Sequence, residues 1–371
     1  MKLTIERAAL LRALGHVQSV VERRNTIPIL SNVLLKAEDG KLSLSATDMD
    51  LEMVSSVPAQ GVKGGGTTVP AHTLYDIVRK LPEGAQVSLE DGDKGQIGLR
   101  SGRSTFTLAC LPVADYPQMA GGDLGHGFSL SAADLKRLID RTSFAISTEE
   151  TRYYLNGIYL HAAKSDGISV LRAVATDGHR LARMELPMPD GASGMPGVIV
   201  PRKAVGELRK LLEEMDQEVS VSLSDTKIRF AFGPTVLTSK LIDGTFPDYD
   251  RVIPTGNDKT LDVRCKDFAE AVDRVSTIST EKSRAVKLAL ERNSLTLSAT
   301  SPENGTASEE IEVGYAAAPL EIGFNSRYLL DIAEQIEGEN ARFMLADAAS
   351  PTVVRDAADG SALYVLMPMR V

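Results

Sequence analysis

Apolar residues recur along this chain at two spacings, and the two alternate in a fixed order. Leu10, Leu14, Val17 and Val21 fall three or four residues apart, which predicts an amphipathic helix. Leu135, Leu138, Ile139 and Ile146 repeat that spacing behind Ser131 and Asp134, a pair placed as a capping box. Phe268, Val272, Val275 and Ile278 form a third set. Each set is followed by segments that alternate every second residue. Leu42, Leu44 and Ala46 take one face there, and Ser43, Ser45 and Thr47 the other, which predicts strands buried on one side. Hairpin signals sit at Asp39-Gly40, Asp91-Gly92 and Asp166-Gly167. A second helical set then appears each time. It comprises Leu74, Ile77, Val78 and Leu81, then Val205, Leu208, Leu211 and Leu212, then Leu329, Leu330, Ile332 and Ile336.

The order is a repeat. Leu42-Ser43-Leu44-Ser45-Ala46-Thr47 returns 253 residues later as Leu295-Thr296-Leu297-Ser298-Ala299-Thr300. Between them Ala175-Thr176-Asp177 answers Ala46-Thr47-Asp48 at an offset of 129. Thr68-Val69-Pro70-Ala71, Ile199-Val200-Pro201-Arg202 and Ile322-Gly323-Phe324-Asn325 keep the same phase. The period is about a third of the chain, so the expected organisation is three α+β domains over 1–124, 125–254 and 255–371. Each holds two helices and several antiparallel strands. Linkers are expected near Met119–Gly127 and Pro254–Lys259, and Gly64-Gly65-Gly66 reads as a flexible loop.

Composition narrows the class. The 371 residues are 43% hydrophobic and 25% charged, with a net charge of −9. The longest apolar run, Ala362 to Met367, is far short of the ~18 residues needed to span a membrane. Glu6 and Arg7 stand where a signal peptide needs apolar residues, so a cytoplasmic protein is expected. Cys110 and Cys265 are too few to staple a fold, and agree with a reducing compartment. An acidic total argues against nucleic acid at first sight. Yet the six helical stretches 6–24, 71–80, 131–142, 202–216, 265–284 and 325–336 hold 18 basic and 15 acidic residues. They carry +3 and the remainder −12. Amphipathic helices with solvated outer faces account for that asymmetry, and so does a basic surface set to meet phosphates.

Catalytic chemistry is not evident. No phosphate-binding loop, zinc-protease motif or nucleophile elbow occurs, and the five histidines and two cysteines show no metal-ligand spacing. Asp177 and His179 could form an acid/base pair, the basis of a hydrolase reading. Ala46-Thr47-Asp48 repeats the motif without a histidine, so a structural turn explains Asp177 more simply. A three-domain scaffold without DNA is the other alternative. The tail from Val365 to Val371 is apolar and methionine-bearing, a composition that suits core packing or adaptable peptide binding.

Six segments carry a specific resemblance. They are Arg152-Tyr153-Tyr154-Leu155-Asn156-Gly157, Ala175-Thr176-Asp177-Gly178-His179-Arg180-Leu181-Ala182, Ile199-Val200-Pro201-Arg202-Lys203, Thr238-Ser239-Lys240-Leu241, Phe246-Pro247-Asp248-Tyr249 and Met367-Pro368-Met369-Arg370. In order and over the whole chain the sequence resembles the bacterial DNA polymerase III beta subunit family, the sliding clamps. The resemblance implies a clamp fold closed into a ring as a head-to-tail homodimer, with helices lining the hole. It implies sequence-independent encirclement of duplex DNA, no catalytic activity and no cofactor or metal. The implied partners are the replicative polymerase alpha subunit, the clamp loader, repair and translesion polymerases, mismatch-repair proteins and an initiator-inactivating factor. The implied place is the nucleoid-associated cytoplasm, with no membrane partner.

The resemblance also assigns residues. A partner-peptide pocket between the second and third domains would use Leu155, Thr176, Gly178, Leu181, Pro247, Val252, Val365 and Met367. Its neighbouring subsite and rim would use Arg152, Tyr154, His179, Arg251, Tyr328, Met369 and Arg370. DNA would meet Arg24, Tyr153, Tyr154, Arg202 and Lys203, while His72 stands where relatives can carry a basic residue. At the ring interface Phe106 and Leu108 would meet Ile278 of the other copy, and Arg103 would face Glu303, Glu309 and Glu310. Gly305-Thr306-Ala307 dilutes that acidic set. Helix geometry independently favours two chains. Six helices packed about 9 Å apart enclose only roughly 6 Å, whereas twelve enclose roughly 23 Å, enough for a duplex whose grooves are each about 8 Å deep.

Overall fold

The computed structural model describes residues 1–92, 95–119, 122–280 and 284–371. Residues 120–121 of the expected linker and 281–283 of the helical stretch 265–284 lie outside them. The first repeat runs β1 (Lys2–Glu6), α1 (Arg7–Gln18), β2 (Asn32–Glu38), β3 (Lys41–Thr47), β4 (Leu51–Pro58), β5 (Gln60–Lys63), β6 (Gly65–Pro70), α2 (Ala71–Lys80), β7 (Gln86–Asp91), β8 (Gln96–Ser101), β9 (Ser104–Ala109). The second runs β10 (His126–Ser131), α3 (Ala132–Asp140), β11 (Gly157–Ser165), β12 (Ile168–Thr176), β13 (Arg180–Pro187), β14 (Val198–Pro201), α4 (Arg202–Glu214), β15 (Glu218–Leu223), β16 (Lys227–Phe232), β17 (Thr235–Lys240). The third runs β18 (Lys259–Arg264), α5 (Cys265–Ser276), β19 (Ala285–Glu291), β20 (Ser294–Ser301), β21 (Gly305–Glu312), β22 (Gly314–Tyr315), β23 (Leu320–Asn325), α6 (Ser326–Ala333), β24 (Asn340–Leu345), β25 (Thr352–Asp356), β26 (Ala362–Leu366). The three-fold α+β pattern expected from the spacing is therefore present.

The helices form where the periodicity put them, and end sooner. Leu10, Leu14 and Val17 of α1 are fully buried, each contributing about 1.5–3 kcal/mol of transfer free energy. Val21, Ile146, Ile278 and Ile336 fall beyond their helix ends. Ser131 Oγ accepts the Asp134 N–H at 3.0 Å, the cap its spacing predicted. Asp39 and Gly40, and Asp166 and Gly167, all have positive φ, the backbone of a two-residue hairpin turn. The connection after Asp91-Gly92 is longer, since β8 begins only at Gln96. Thr47 is buried rather than outward, because its hydroxyl donates to the Leu51 carbonyl at 2.8 Å. The expected Gly64-Gly65-Gly66 loop is corrected: Gly65 and Gly66 lie in β6. A Cβ on Gly66 would stand 3.1 Å from the Leu35 carbonyl oxygen, so glycine serves close strand approach there.

The compact units do not follow the repeat boundaries. One comprises 1–135, 189–196 and 203–241, the other 136–188, 197–202 and 242–371. Strand pairing explains the division. In the first unit β4 of repeat one pairs antiparallel with β17 of repeat two, giving the eight-stranded order β10-β15-β16-β17-β4-β3-β2-β6. In the second unit β13 of repeat two pairs with β26 of repeat three, giving the nine-stranded order β14-β11-β12-β13-β26-β25-β24-β18-β22. The first unit also holds a five-stranded sheet that ends on β9, and the second a four-stranded sheet that ends on β21.

A Cβ at Gly157 would fall 2.2 Å from the Val200 carbonyl oxygen, a backbone atom of the paired strand β14. Gly157→Ala is expected to destabilise the protein by about 2 kcal/mol. Gly206→Ala in α4, where an added Cβ meets nothing within 4 Å, should stabilise it by about 0.5–1 kcal/mol. Thermal melts of the two variants should therefore move in opposite directions; a Gly157→Ala melt at or above that of the parent would refute the clash.

Candidate functional site

One turn, made twice, organises the site. Thr176 Oγ1 donates to the Arg180 carbonyl at 2.6 Å and accepts the Gly178 N–H at 3.1 Å. Asp177 Oδ1 accepts the N–H groups of His179 and Arg180 at 2.9 and 3.0 Å. Repeat one builds the same turn from Thr47 and Asp48, whose side chains take the N–H groups of Met49, Asp50 and Leu51. Asp177 thus caps a turn, and its other oxygen bonds Arg180 Nε at 3.2 Å. Its bonding capacity goes to the backbone and Arg180, which removes the geometric basis of the Asp177–His179 acid/base reading.

Gly178 holds φ +88°, a left-handed backbone that glycine adopts without strain. A Cβ there would lie 2.5 Å from Arg152 Nη1, so the guanidinium rests directly on the turn. Arg152 is aimed by Glu149 through Nε at 2.8 Å, a bond that lowers the Glu149 carboxyl below its ordinary value. Leu155, Leu181 and Val365 are buried together with Phe246 and Tyr249, and Tyr154 packs on that cluster. Around this floor lie exposed apolar side chains: Val252, Met367, Met369 and Val371. The tail is fixed by its backbone. Met367 N–H donates to the His179 carbonyl at 3.0 Å, and Met369 N–H to the Gly323 carbonyl at 2.8 Å. Pro247 is exposed between buried Phe246 and Tyr249, and Arg251 pairs with Asp248 at 2.7 Å. His179 and Arg370 are exposed. A buried apolar floor with movable apolar and cationic rims can take a short peptide with apolar anchors.

Two positioning elements were not singled out from the sequence. Arg180 is buried and bonds Asp177, Asp331 (2.5 Å) and the Phe144 carbonyl (2.7 Å). Its guanidinium also sits 4.2 Å from the Tyr328 ring centroid, which places Tyr328. Its place within the matched Ala175–Ala182 segment was the available signal. Behind the floor, Arg172 donates to the Tyr249 hydroxyl at 2.8 Å and to Glu185 at 2.7 Å. His161 Nε2 lies 2.9 Å from that hydroxyl, and the ring stacks on Tyr159, which stacks in turn on Phe246. Nothing in the sequence pairs strand residues 161 and 172 with Tyr249.

The expected DNA contacts fare unequally. Arg24 and Arg202 are exposed and have no ion-pair partner among the described residues. Tyr153 is exposed and meets Tyr154 edge-on, with centroids 5.8 Å apart. Lys203, by contrast, is held by Glu22 at 3.0 Å and Asp48 at 2.5 Å, a cluster with more negative than positive charge. Its ammonium is a poor phosphate contact in that state. His72 is tied inward, its ring nitrogens facing Gln18 Oε1 and the Val21 carbonyl, each at 2.9 Å. Of the expected interface residues, Phe106 and Leu108 lie half-buried on one face of edge strand β9, opposite Leu99 and Ile97. Arg103, Glu303 and Glu310 are exposed, Ile278 is half-exposed, and Glu309 is bound by Arg274 of the same chain at 2.6 and 3.0 Å.

Comparison with known proteins is consistent over the full length. Residues 1–120, 129–248 and 250–370 match the N-terminal, central and C-terminal domain models of the DNA polymerase III beta subunit. The beta sliding clamp of Caulobacter vibrioides is 58% identical over 372 residues, and that of Escherichia coli K12 43% over 375, each with both chains fully covered. A crystal structure of a DnaN sliding clamp from Bartonella birtlesii bound to griselimycin superposes with a TM-score of 0.97 at 55% identity, covering both chains fully. A C. crescentus clamp with polyethylene glycol bound gives 0.97 at 58%, covering 100% of this chain and 99% of that one.

Burial, helped by the nearby Arg172 charge, holds the His161 imidazole below its ordinary value of 6.5. The unfolded chain therefore takes up a proton first, and stability should fall as the pH drops through 6.5 toward the lower folded value. Denaturant midpoints at pH 8 and pH 5.5 should differ less in His161→Gln than in the parent. Identical pH profiles would show that His161 is not buried in this network.

Proposed function

The chain belongs to the DNA polymerase III beta subunit family, the bacterial sliding clamps, and from that premise we propose that two copies close head to tail around duplex DNA. Members of this family are accessory subunits that confer processivity on DNA polymerase III, and the chain is no catalyst. The observation that carries the ring is the joint already made twice within the chain. Strand β4 pairs with β17, and β13 with β26. The third strand of that class, β21, is an open edge, and so is the third partner, β9. Pairing β21 of one copy with β9 of the other would satisfy both rows of backbone groups and make a further nine-stranded sheet. Phe106 and Leu108 would then approach Ile278, and Arg103 the acidic set at 303–310. A head-to-tail contact of this kind closes after two copies when the rotation permits.

The pocket of Leu155, Gly178, Leu181, Val365 and Met367 is proposed as the docking place for short linear motifs. The polymerase alpha subunit, the loader, repair and translesion polymerases and mismatch-repair proteins would compete for it. Support comes from the buried floor, the exposed methionines and the full-length likeness to a clamp crystallised with griselimycin. Arg24 and Arg202 would touch phosphates without reading bases, which sliding requires, and Tyr153 would offer a stacking face. Domains 1–124, 125–254 and 255–371 and a nucleoid-associated cytoplasmic location complete the proposal.

Retention on DNA tests the ring. With a clamp loader and ATP, the protein should remain on nicked circular DNA and be lost when the circle is linearised. Equal retention on both would refute encirclement. For the pocket, removing residues 367–371 should weaken binding of a polymerase-derived peptide by more than tenfold while dimerisation persists. Unchanged peptide affinity would overturn the assignment.

A further inference from the structure

The two joints inside the chain share a feature besides their strand pairing, and it locates a contact in the third. In the first joint, His16 Nε2 at the C-terminal end of α1 lies 2.9 Å from Glu214, the last residue of α4. In the second, Arg141, one residue past α3, ion-pairs with Glu337 in the turn after α6 and donates to the Gln335 carbonyl. His16 and Arg141 occupy one position, nine residues beyond the first residue of their helices, Arg7 and Ala132. The same position counted from Cys265 in α5 is Arg274.

The acid is located by a hydrogen bond. Arg7 N–H, at the start of α1, donates to the Ala85 carbonyl at 2.9 Å, and Cys265 N–H to the Glu339 carbonyl at 2.8 Å. Those bonds align Glu83-Gly84-Ala85, after α2, with Glu337-Gly338-Glu339, after α6; the counterpart in repeat two, Ala132 N–H to the Gln217 carbonyl at 3.1 Å, sets Glu214 one residue before that position. Glu83 therefore stands where Glu337 stands. It is exposed and has no ion-pair partner among the described residues.

Exposure marks the same surfaces as incomplete. The Arg274 side chain is 57% exposed, against 7% for His16 and 12% for Arg141. Ile278 is half-exposed, whereas its counterparts Val20 and Ala145 are fully buried. Ile77 of α2 is half-exposed, whereas its counterparts Leu208 and Ile332 are buried. Arg274 is meanwhile oriented by Glu309 through two of its nitrogens, at 2.6 and 3.0 Å.

We propose that Arg274 of one copy forms an ion-pair latch with Glu83 of the second copy, completing in the joint between chains the contact that His16–Glu214 and Arg141–Glu337 make within one. Arg274 would bridge its own Glu309 and the second copy's Glu83. This rests on the dimer reading above and specifies which charges hold it.

Charge reversal tests the latch, with self-association measured by analytical ultracentrifugation at low salt. Glu83→Arg and Arg274→Glu should each raise the dimer dissociation constant about tenfold or more, since each places like charges together in both joints of the ring. An equimolar mixture of the two variants should associate more tightly than either variant alone, though below the parental level, because Arg274→Glu also sets a carboxylate against Glu309 and Glu270 of its own chain. In a mixed dimer one joint keeps the native pair and the other holds it reversed. Unaltered melting of Glu83→Arg, whose side chain has no ion pair to lose among the described residues, separates the effect from misfolding. Parental dimers with an unchanged constant for Glu83→Arg would overturn the latch and leave the dimer standing. Weakened variants that do not rescue each other would overturn it equally. A parental chain that is monomeric at micromolar concentration would refute the dimer itself.

Discussion

Strand edges constrain this molecule more than any side chain does. An outer strand presents a row of N–H and C=O groups that must find partners or face water. Each repeat has a sheet that leaves such rows, and the chain resolves four of them by pairing β4 with β17 and β13 with β26. Those ladders fuse neighbouring repeats more tightly than the linkers separate them, which is why the compact units cross the repeat boundaries. They also bring the Asp177 turn beside the C-terminal tail, so that the candidate pocket is a by-product of the second joint. Apolar floor, cationic rim and tail all hang on the register that sets Arg180 opposite Leu366.

Local features were readable in the sequence. Helical spacing at Leu10, Leu14 and Val17, alternation at Leu42 to Ala46, the Ser131–Asp134 cap and two of the Asp-Gly turns each depend on residues close in the chain. What depended on distant residues was not. No local pattern announces that Gly66 faces the Leu35 carbonyl, that Lys203 is shared by Glu22 and Asp48, or that Arg180 reaches Phe144 and Asp331. The pocket residues came from resemblance to a family. Composition and periodicity alone left the Asp177 segment as a turn and the tail as core or binding surface.

The charge count was informative and incomplete for the same reason. A basic excess on the helical stretches is real as arithmetic, yet many of those cations are already engaged. Lys203 and Arg274 hold carboxylates, and so does Lys210, which pairs with the buried Glu207 at 2.7 Å. The free positive charge on those stretches is smaller than the sequence total, and Arg24 and Arg202 are among the exposed arginines that keep it.

Met49 and Gly178 stand at the same place in the same turn, with φ of 79° and 88°. Repeat one therefore holds a methionine in a backbone state that favours glycine, and surrounds it with ion pairs, Asp48 to Lys203 and Asp50 to Lys240. In repeat two the corresponding aspartate pairs with Arg180 of its own turn, and the Arg152 guanidinium lies over Gly178. The two repeats thus share the turn but not its surroundings. If short motifs dock at the Gly178 turn as proposed, two motifs that both need that turn would exclude one another on one chain.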